Sequence, residues 1–290
     1  FAQRMKNDEM ITLAKFLAIT GIILPMLPHK NLIPDINLTP YSIWLATVVV
    51  SGISYLSYLL KRYVFHESGT LVSGIIGGLY SSTATISVLA RKSRKASEQE
   101  ATDYVAAMLL AVSMMFLRFM ILILIFSREI FLSIYPYLLT MAVVAAIVAW
   151  FIHSRQKRPE DQPAETEEDD SSNPLEFKVA LIFAVLFVIF TIVTHYTLIY
   201  TGTGGLNVLS FIAGLSDITP FILNLLQGSG VAVVVVTACC MQAIVSNIAV
   251  NMCYALFFAG GKSPLRRWVL RGFGGVIAIN VCLLLFFYLL

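Results

Sequence analysis

Nine long apolar runs limit what this chain can fold into. They cover 11–27, 43–60, 69–90, 101–126, 131–152, 177–200, 204–226, 230–258 and 268–290. About 20 apolar residues are enough to cross the hydrocarbon core of a bilayer as a helix. The chain is 58% hydrophobic and only 13% charged, with a mean hydropathy of +0.82, whereas a soluble domain carries about 25% charged residues. The sequence therefore predicts an all-α integral membrane protein.

Two of these runs are versions of each other. GTLVSGIIGGLYSSTATISVL at 69–89 and GLNVLSFIAGLSDITPFILNL at 205–225 lie 136 residues apart and share eight of 21 positions without a gap. Paired, Gly-interrupted apolar segments in two halves of a membrane protein are a sequence signal for a transport site. The chain is therefore expected to consist of two related halves.

The boundaries of these halves follow from one long polar stretch. Residues 154–174 (SRQKRPEDQPAETEEDDSSNP) are rich in Pro, Glu and Asp, which is typical of a flexible, solvated linker. We place this linker in the cytoplasm, between a first membrane half and a second one. The first half covers 1–153, with a repeat unit at about 37–127; the second covers 175–290, with a repeat unit at about 173–258.

The distribution of Lys and Arg predicts the topology, because these residues favour the cytoplasmic side of short loops. If all nine runs cross the membrane, nine Lys and Arg residues lie on one face and ten on the other, so neither face is enriched. If runs 69–90 and 204–226 are re-entrant and the N-terminus is cytoplasmic, 17 lie inside and only Lys30 and Arg128 lie outside. We therefore predict seven spanning helices plus two re-entrant broken segments, arranged as an inverted-topology repeat. Nine spanning helices are the alternative.

Glycines and helix-capping residues mark where the re-entrant segments break. Gly77, Gly78 and Gly214 are expected to supply the breaks, because Gly adopts backbone angles that other residues avoid. Three residues after Gly78 and Gly214, Ser81 and Asp217 occupy the same position in the aligned segments. Both residue types are favoured N-caps. Two helix N-termini would then converge from opposite sides of the membrane. In the alternative interpretation, Ser81 and Asp217 only cap helices and line no site.

The candidate site consists of the polar residues around these breaks. Arg118 is a charge deep in run 101–126 and needs a partner, for which Asp217 is the first candidate. A structural salt bridge between the halves is the alternative role for Arg118, and simple helix–helix hydrogen bonding is the alternative for the amides of 230–258. The residues expected to line the site carry hydroxyl, carboxylate or amide groups: Ser81, Ser82, Thr83, Asp217, Thr219, Asn247 and Asn251.

These residue types predict a secondary transporter or channel for a small ion. A cation is preferred, because one carboxylate with hydroxyls and amides suits a hard cation. A small anion is the alternative substrate, because two helix N-termini and Arg118 favour negative charge. A non-transporting membrane scaffold or regulator that binds a partner protein is the alternative function. An enzyme is not expected, because the sequence has no Walker, HExxH or GxSxG motif and only one buried carboxylate.

Several motifs resemble one family of membrane domains. They are GGLYSSTATISVLARKS at 77–93, AGLSD at 213–217, the Asn173-Pro174 and Ser246-Asn247 pairs, LPMLP at 24–28 and SGISYLSYLL at 51–60. Together they resemble the polytopic domain of unknown function that often follows an MgtC/SapB domain in prokaryotes. The resemblance implies a multi-pass protein of the prokaryotic cytoplasmic membrane, with an MgtC-like domain preceding Phe1, and the known association of MgtC with magnesium limitation points to ion homeostasis. Other expected partners are the lipid bilayer, a small ion or solute, and a second copy in a homodimer; no nucleic acid or cofactor is expected.

Overall fold

The computed structural model describes residues 7–34, 36–64, 69–154, 177–227, 230–260 and 265–289. The predicted linker, 154–174, lies outside these ranges except for Ser154. Every regular element in the described ranges is helical, apart from one isolated β-bridge between Ile33 and Ile36. The all-α prediction is therefore confirmed.

The described ranges contain nine α-helices. A π-helical turn, Leu60–Val64, extends the second helix, and a 3₁₀ turn, Ser93–Lys95, follows the third. The helices are α1 (Asn7–Met26), α2 (Pro40–Leu59), α3 (Thr70–Lys92), α4 (Glu98–Phe126), α5 (Arg128–Ser154), α6 (Phe177–Gly214), α7 (Ile218–Leu226), α8 (Val233–Ala259) and α9 (Leu265–Leu289).

Seven of the described helices are long and apolar enough to cross a membrane, which confirms a multi-pass membrane protein. They are α2, α3, α4, α5, α6 from Ala180 onward, α8 and α9. The number of candidate spanning helices equals the predicted seven, but the seven helices are not the same ones. By length and composition α3 qualifies, although the sequence predicts that it is re-entrant, whereas α1 has only a shorter apolar stretch, Leu13–Met26.

Capping residues explain where two of these helices begin. The Thr39 hydroxyl accepts a hydrogen bond from the backbone N–H of Ser42, whose side chain accepts one from the N–H of Thr39. Ser97 and Glu100 form the same reciprocal pair at the start of α4. Such capping boxes satisfy backbone donors that a helix terminus otherwise leaves unpaired.

Backbone breaks interrupt the helices at the two aligned positions. Ser81 has non-helical angles inside α3, with φ −158° and ψ 107°. Asp217 precedes α7 with φ −76° and ψ 111°. The predicted break at Gly77 and Gly78 is therefore displaced to Ser81, and both glycines are helical. A third irregularity in α6 lies at Gly202, whose φ of 64° suits a residue without a Cβ.

The glycines of α3 instead allow close helix packing. A Cβ on Gly74 would lie 2.3 Å from the carbonyl oxygen of Ala107, and one on Gly78 would lie 2.5 Å from the Cα of Ala111. Gly74 and Gly78 are four residues apart and face alanines four residues apart on α4. This is the small-residue spacing that lets membrane helices approach at backbone distance.

Gly77 faces a different part of α3. A Cβ there would lie 2.4 Å from the Oγ1 of Thr85, eight residues further along the same element. In an uninterrupted α-helix, eight residues correspond to a rise of about 12 Å. The segments before and after Ser81 therefore lie against each other instead of continuing along one axis.

Polar contacts of α5 show that α4 and α8 run in opposite directions. The Nδ1 of His153, at the end of α5, lies 2.6 Å from the Oδ1 of Asp103, near the start of α4. The Thr237 hydroxyl, near the start of α8, lies 3.2 Å from the Ser133 hydroxyl, near the start of α5. The starts of α4 and α8 are therefore at opposite ends of α5.

The end of α3 lies beside the end of α8. Arg94 donates from its Nε to the carbonyl of Phe258, and the Arg91 guanidinium is 4.4 Å from the centre of the Phe258 ring. These contacts place the last turns of the two helices together at the end of the bundle where α4 begins.

The helix boundaries also reflect the 136-residue offset found in the sequence. When 136 is added to their residue numbers, α2, α4 and α5 overlap α6, α8 and α9. The correspondence therefore extends past the predicted repeat units and includes α5 and α9. In the core of the protein, α8 is the most buried spanning helix and the apolar part of α6 is the least buried.

Candidate functional site

A helix begins at each of the two breaks, and a side chain caps it. The Ser81 hydroxyl accepts a hydrogen bond from the backbone N–H of Ala84 at 3.3 Å. The Asp217 Oδ1 accepts one from the N–H of Thr219 at 3.0 Å. The N-cap role predicted for both residues is confirmed. Each break therefore presents the N-terminal end of a helix, which carries a partial positive charge.

Arg118 binds the other side of the first break. Its Nη1 donates a 2.9 Å hydrogen bond to the carbonyl oxygen of Tyr80, the last residue before Ser81. A cation at a helix C-terminus is electrostatically favourable, and the bond satisfies a carbonyl that the break leaves unpaired. Among the described residues Arg118 forms no direct ion pair with Asp217, the partner expected from the sequence, although the Asp217 charge acts on it electrostatically.

Asn247 has the corresponding position at the second break. Its Nδ2 donates to the carbonyl oxygens of Gly214 and Ser216, at 3.2 and 3.3 Å. Gly214 is the last residue of α6, and a Cβ there would lie 2.4 Å from the Cβ of Ser246. The absence of a side chain therefore allows α6 to approach α8 closely enough for these bonds to form.

Asn251 continues the polar face of α8 by one turn. Its Nδ2 donates to the Oδ1 of Asn247 at 3.1 Å. The two amides therefore share one face of the helix, as their spacing predicts. The bond also orients Asn247, because its own Nδ2 is used by the carbonyls of the break.

Two buried polar atoms at the candidate site have no hydrogen-bond partner among the described residues. They are the Nε of Arg118 and the Oδ1 of Asn251. Asn251 is fully buried. An unpaired buried polar group costs about 1–3 kcal/mol, so each such atom in a native structure requires an explanation.

The remaining predicted residues lie at the same two breaks. Ser82 and Thr219 are buried, and Thr83 is half-buried, with its carbonyl accepting from the Ser87 hydroxyl. Ser81, Ser82, Thr83 and Arg118 surround the first break. Asp217, Thr219, Asn247 and Asn251 surround the second. An electrostatic interaction between Arg118 and Asp217 connects the two groups.

Exposure at the protein surface differs between the second break and the helix that follows it. Ser216 and Asp217 are exposed, whereas the whole of α7 after them is buried. Asp217 therefore lies at the surface of the protein, whereas the sequence predicted a buried carboxylate. The described residues contain no group of three or more His, Cys, Asp or Glu side chains that could hold a metal ion.

Sequence reasoning missed several residues that shape the site. The carbonyl of Tyr80 carries no side-chain signal, and only the fold shows that it accepts from Arg118. The Ser210 hydroxyl donates to the Oε1 of Gln242 at 2.6 Å and connects α6 to α8. The Gly74 and Gly78 pair was recognisable from its small-xxx-small spacing.

Helices of this length and hydropathy define a polytopic α-helical membrane protein. The chain belongs to the family described as "Domain of unknown function (DUF4010)", whose sequence profile matches residues 48–259. The matched region begins within α2, ends with α8 and includes both breaks. The expected membrane domain of unknown function is thus confirmed, while its association with MgtC/SapB domains stays a prediction.

One relative comes from a bacterium. It is an "Uncharacterized protein" of Aquifex aeolicus (strain VF5), 25% identical over 205 residues, which cover 68% of this chain and 86% of that protein. No solved structure matches the chain.

Proposed function

We propose that this protein is a secondary transporter or channel that moves a small ion through a site between two re-entrant broken segments. The observation that carries the proposal is the equivalence of the two breaks. Ser81 and Asp217 are aligned in sequence, and each caps the helix that follows it. Arg118 and Asn247 each bind the carbonyl end that precedes the break.

Packing around α3 supports the first re-entrant segment. The contact between Gly77 and Thr85 folds α3 back on itself. The contacts of Gly74 with Ala107 and of Gly78 with Ala111 make its first part parallel to α4. Its second part returns to Arg94, beside the start of α4. Both ends of α3 then lie on one side of the membrane.

The second broken segment, formed by the last part of α6 and by α7, lies along α8 as α3 lies along α4. Ser210 bonds Gln242, and Asn247 bonds Gly214, so the last part of α6 runs parallel to α8. The chain then returns through α7, where the Nδ2 of Asn224 donates to the Thr194 hydroxyl of α6 at 2.9 Å. This segment therefore enters and leaves from the side where α8 begins.

The antiparallel directions of α4 and α8 make the two segments inverted copies. One segment follows α4 and the other follows α8, so they enter from opposite sides. Nine spanning helices would place the ends of α3 and α8 on opposite faces, which disagrees with the contact between Arg94 and Phe258. Inverted repeats with broken helices that meet near the midplane are a recurrent transporter plan.

Charge and similarity support the cellular location. The excess of Lys and Arg on one face favours a cytoplasmic N-terminus and a cytoplasmic end of α3. The similarity to an Aquifex protein supports a prokaryotic cytoplasmic membrane. A bilayer and a small ion are then the partners that the site requires, and no chemical transformation of the substrate is proposed.

A flux screen tests this function directly. The full chain is reconstituted in liposomes and assayed with Na⁺, K⁺, Mg²⁺, chloride and nitrate, with protein-free liposomes as the blank. We expect flux of at least one ion, altered by Asp217→Asn and unchanged by Glu129→Gln, an exposed acidic residue at the start of α5. Absence of flux for every ion would favour a non-transporting scaffold. Equal flux in Asp217→Asn and the wild type would remove Asp217 from the mechanism.

A further inference from the structure

Asp217 combines a position near the middle of the membrane with an exposed side chain. The carbonyl of Ser216, the residue before it, accepts a hydrogen bond from Asn247, and Asn247 is residue 15 of the 27 in α8, counted from Val233. Since α8 is long and apolar enough to span the membrane, its middle lies near the bilayer midplane. Asp217 is nevertheless exposed at the protein surface. Among the described residues, its Oδ1 accepts from Thr219 and its Oδ2 has no hydrogen-bond partner.

The side chains beside Asp217 are exposed as well, but they are apolar. They belong to the last part of α6, after Gly202, and to the turn that follows it. We call this set the outer stripe, and its members are Gly204, Val208, Phe211, Ile212 and Leu215. Its four large side chains are between 44 and 61% exposed. On the opposite face of the same segment, Ser210 and Ala213 are buried, and Ser210 bonds to α8.

Neither lipid nor water alone suits this surface. A carboxylate near the bilayer midplane is costly when it faces lipid, and such residues face protein or a water-filled cavity instead. Water would solvate Asp217 but would leave four large apolar side chains exposed to an aqueous phase. Leu215 and Asp217 are two residues apart, so both requirements apply to one continuous surface. A protein surface satisfies both, because it buries the apolar side chains and presents polar groups to the carboxylate.

The spacing within the outer stripe indicates which protein surface this is. Gly204, Val208, Phe211 and Leu215 are separated by four, three and four residues, which is the spacing of residues that face a partner helix along a packing seam. A Cβ on Gly204 would meet nothing within 4 Å in the chain, so this glycine is not needed for packing within one copy. An exposed small residue on such a seam lets a second helix approach closely. A seam of this kind can pair with its own copy across a two-fold axis, which is the commonest symmetry of homo-oligomers.

We propose that the outer stripe binds a second copy of this chain, and that the dimer encloses Asp217. A two-fold axis along the membrane normal keeps both copies in the same orientation and places Ser216 and Asp217 of the two copies at the same depth. Each carboxylate then has polar neighbours from the other copy in place of lipid. The ion site proposed above is therefore complete only in the dimer. This inference rests on the proposed function for the re-entrant course of the second segment, but its test measures assembly and not flux.

Gly204→Leu is the decisive variant. Its side chain has open space in one copy but would lie between the two paired helices of the dimer. The full chain, with one fluorophore per copy on an added terminal tag, is reconstituted in liposomes at high dilution, and single-molecule photobleaching counts the copies in each complex. We expect two-step bleaching for the wild type, and an apparent dissociation constant about tenfold higher or more for Gly204→Leu. Gly52→Leu on α2 is the matched control and should assemble as the wild type does, because a Cβ on Gly52 also meets nothing within 4 Å.

Cross-linking locates the interface and does not depend on the folding of Gly204→Leu. In a background without the four native cysteines, Val208→Cys, Ile212→Cys and Leu215→Cys are treated in liposomes with a short bismaleimide. We expect covalent dimers at one or more of these positions. Val143→Cys, an exposed apolar position near the middle of α5, is the control and should remain monomeric.

The outcomes separate this inference from the proposed function. Two-step bleaching that Gly204→Leu weakens, with cross-links confined to the outer stripe, supports the dimer whether or not an ion crosses the membrane. One-step bleaching of the wild type, dimers that Gly204→Leu does not weaken, or equal cross-linking of Val143→Cys overturns the proposed interface but leaves ion transport standing. A wild-type dimer that moves no ion overturns the transporter and keeps the interface.

Discussion

Arg118 on α4 donates a hydrogen bond to the backbone carbonyl of Tyr80, the last residue before the break in α3. Asn247 on α8 does the same for Gly214, the last residue of α6. Each broken segment is therefore anchored by the long helix that follows it in the chain. The two anchors differ in charge, and this difference makes the proposed site asymmetric.

Loss of the Asn247 anchor should destabilise the protein. Asn247→Leu leaves the carbonyls of Gly214 and Ser216 without their donor, at a cost of roughly 2–6 kcal/mol, because each unpaired group costs about 1–3 kcal/mol. Thermal unfolding in detergent measures the change. Ser246→Ala removes a neighbouring hydroxyl bond to Phe211 and should cost less. Equal melting temperatures for Asn247→Leu and the wild type would contradict the anchoring role.

Close packing of α3 on α4 predicts that any side chain at position 78 lowers the stability of the protein. A Cβ in Gly78→Ala would lie 2.5 Å from the Cα of Ala111, so the backbones must separate, with a loss of about 1–3 kcal/mol. Gly275→Ala on α9 is the control, because its Cβ would meet nothing within 4 Å. That change should stabilise the helix by up to about 1 kcal/mol. Opposite shifts in melting temperature are expected, and a neutral Gly78→Ala would be evidence against backbone contact.

The stabilising effect of Asp217 as a helix cap should be separable from the effect of its charge on ion flux. Asp217→Ala removes the acceptor for the Thr219 N–H and should cost about 1 kcal/mol of stability. Asp217→Asn should retain most of that stability while changing ion flux. Thermal unfolding and flux on the same preparations provide the comparison. Parallel changes in both properties for both variants would mean that Asp217 acts only as a cap.

The re-entrant arrangement predicts the labelling side of engineered cysteines. In a background without the four native cysteines, Gly69→Cys and Lys92→Cys flank α3 and should react with a membrane-impermeant maleimide from the same, cytoplasmic side. Arg128→Cys should react from the opposite side. Labelling of positions 69 and 92 from different sides would instead support nine spanning helices.

Sequence reasoning was strongest where the signal is local. Apolar runs marked the spanning helices because a bilayer imposes their length. Ser81 and Asp217 were recognised as caps because their side chains act on the next turn. The position of the first break was wrong by three residues, because Gly78 serves helix packing and Ser81 has the extended backbone.

Partners that depend on distant parts of the chain were less predictable. Arg118 was recognised as a buried charge in need of a partner, and Asp217 was the first candidate suggested by the sequence. Its hydrogen-bond partner is instead a backbone carbonyl, which has the same chemistry at every residue and therefore no sequence signature.

The sequence by itself determined an all-α membrane protein and the polar residues at the breaks, and it predicted two related halves and the side on which basic residues collect. These follow from hydropathy, repetition and charge, which are properties of the chain before it folds. Only the tertiary structure decided that Tyr80 and Gly214 are anchored by Arg118 and Asn247. The same packing determined which oxygens remained free at the breaks. A backbone carbonyl has the same chemistry at every residue, so only packing decides which carbonyl a distant side chain binds.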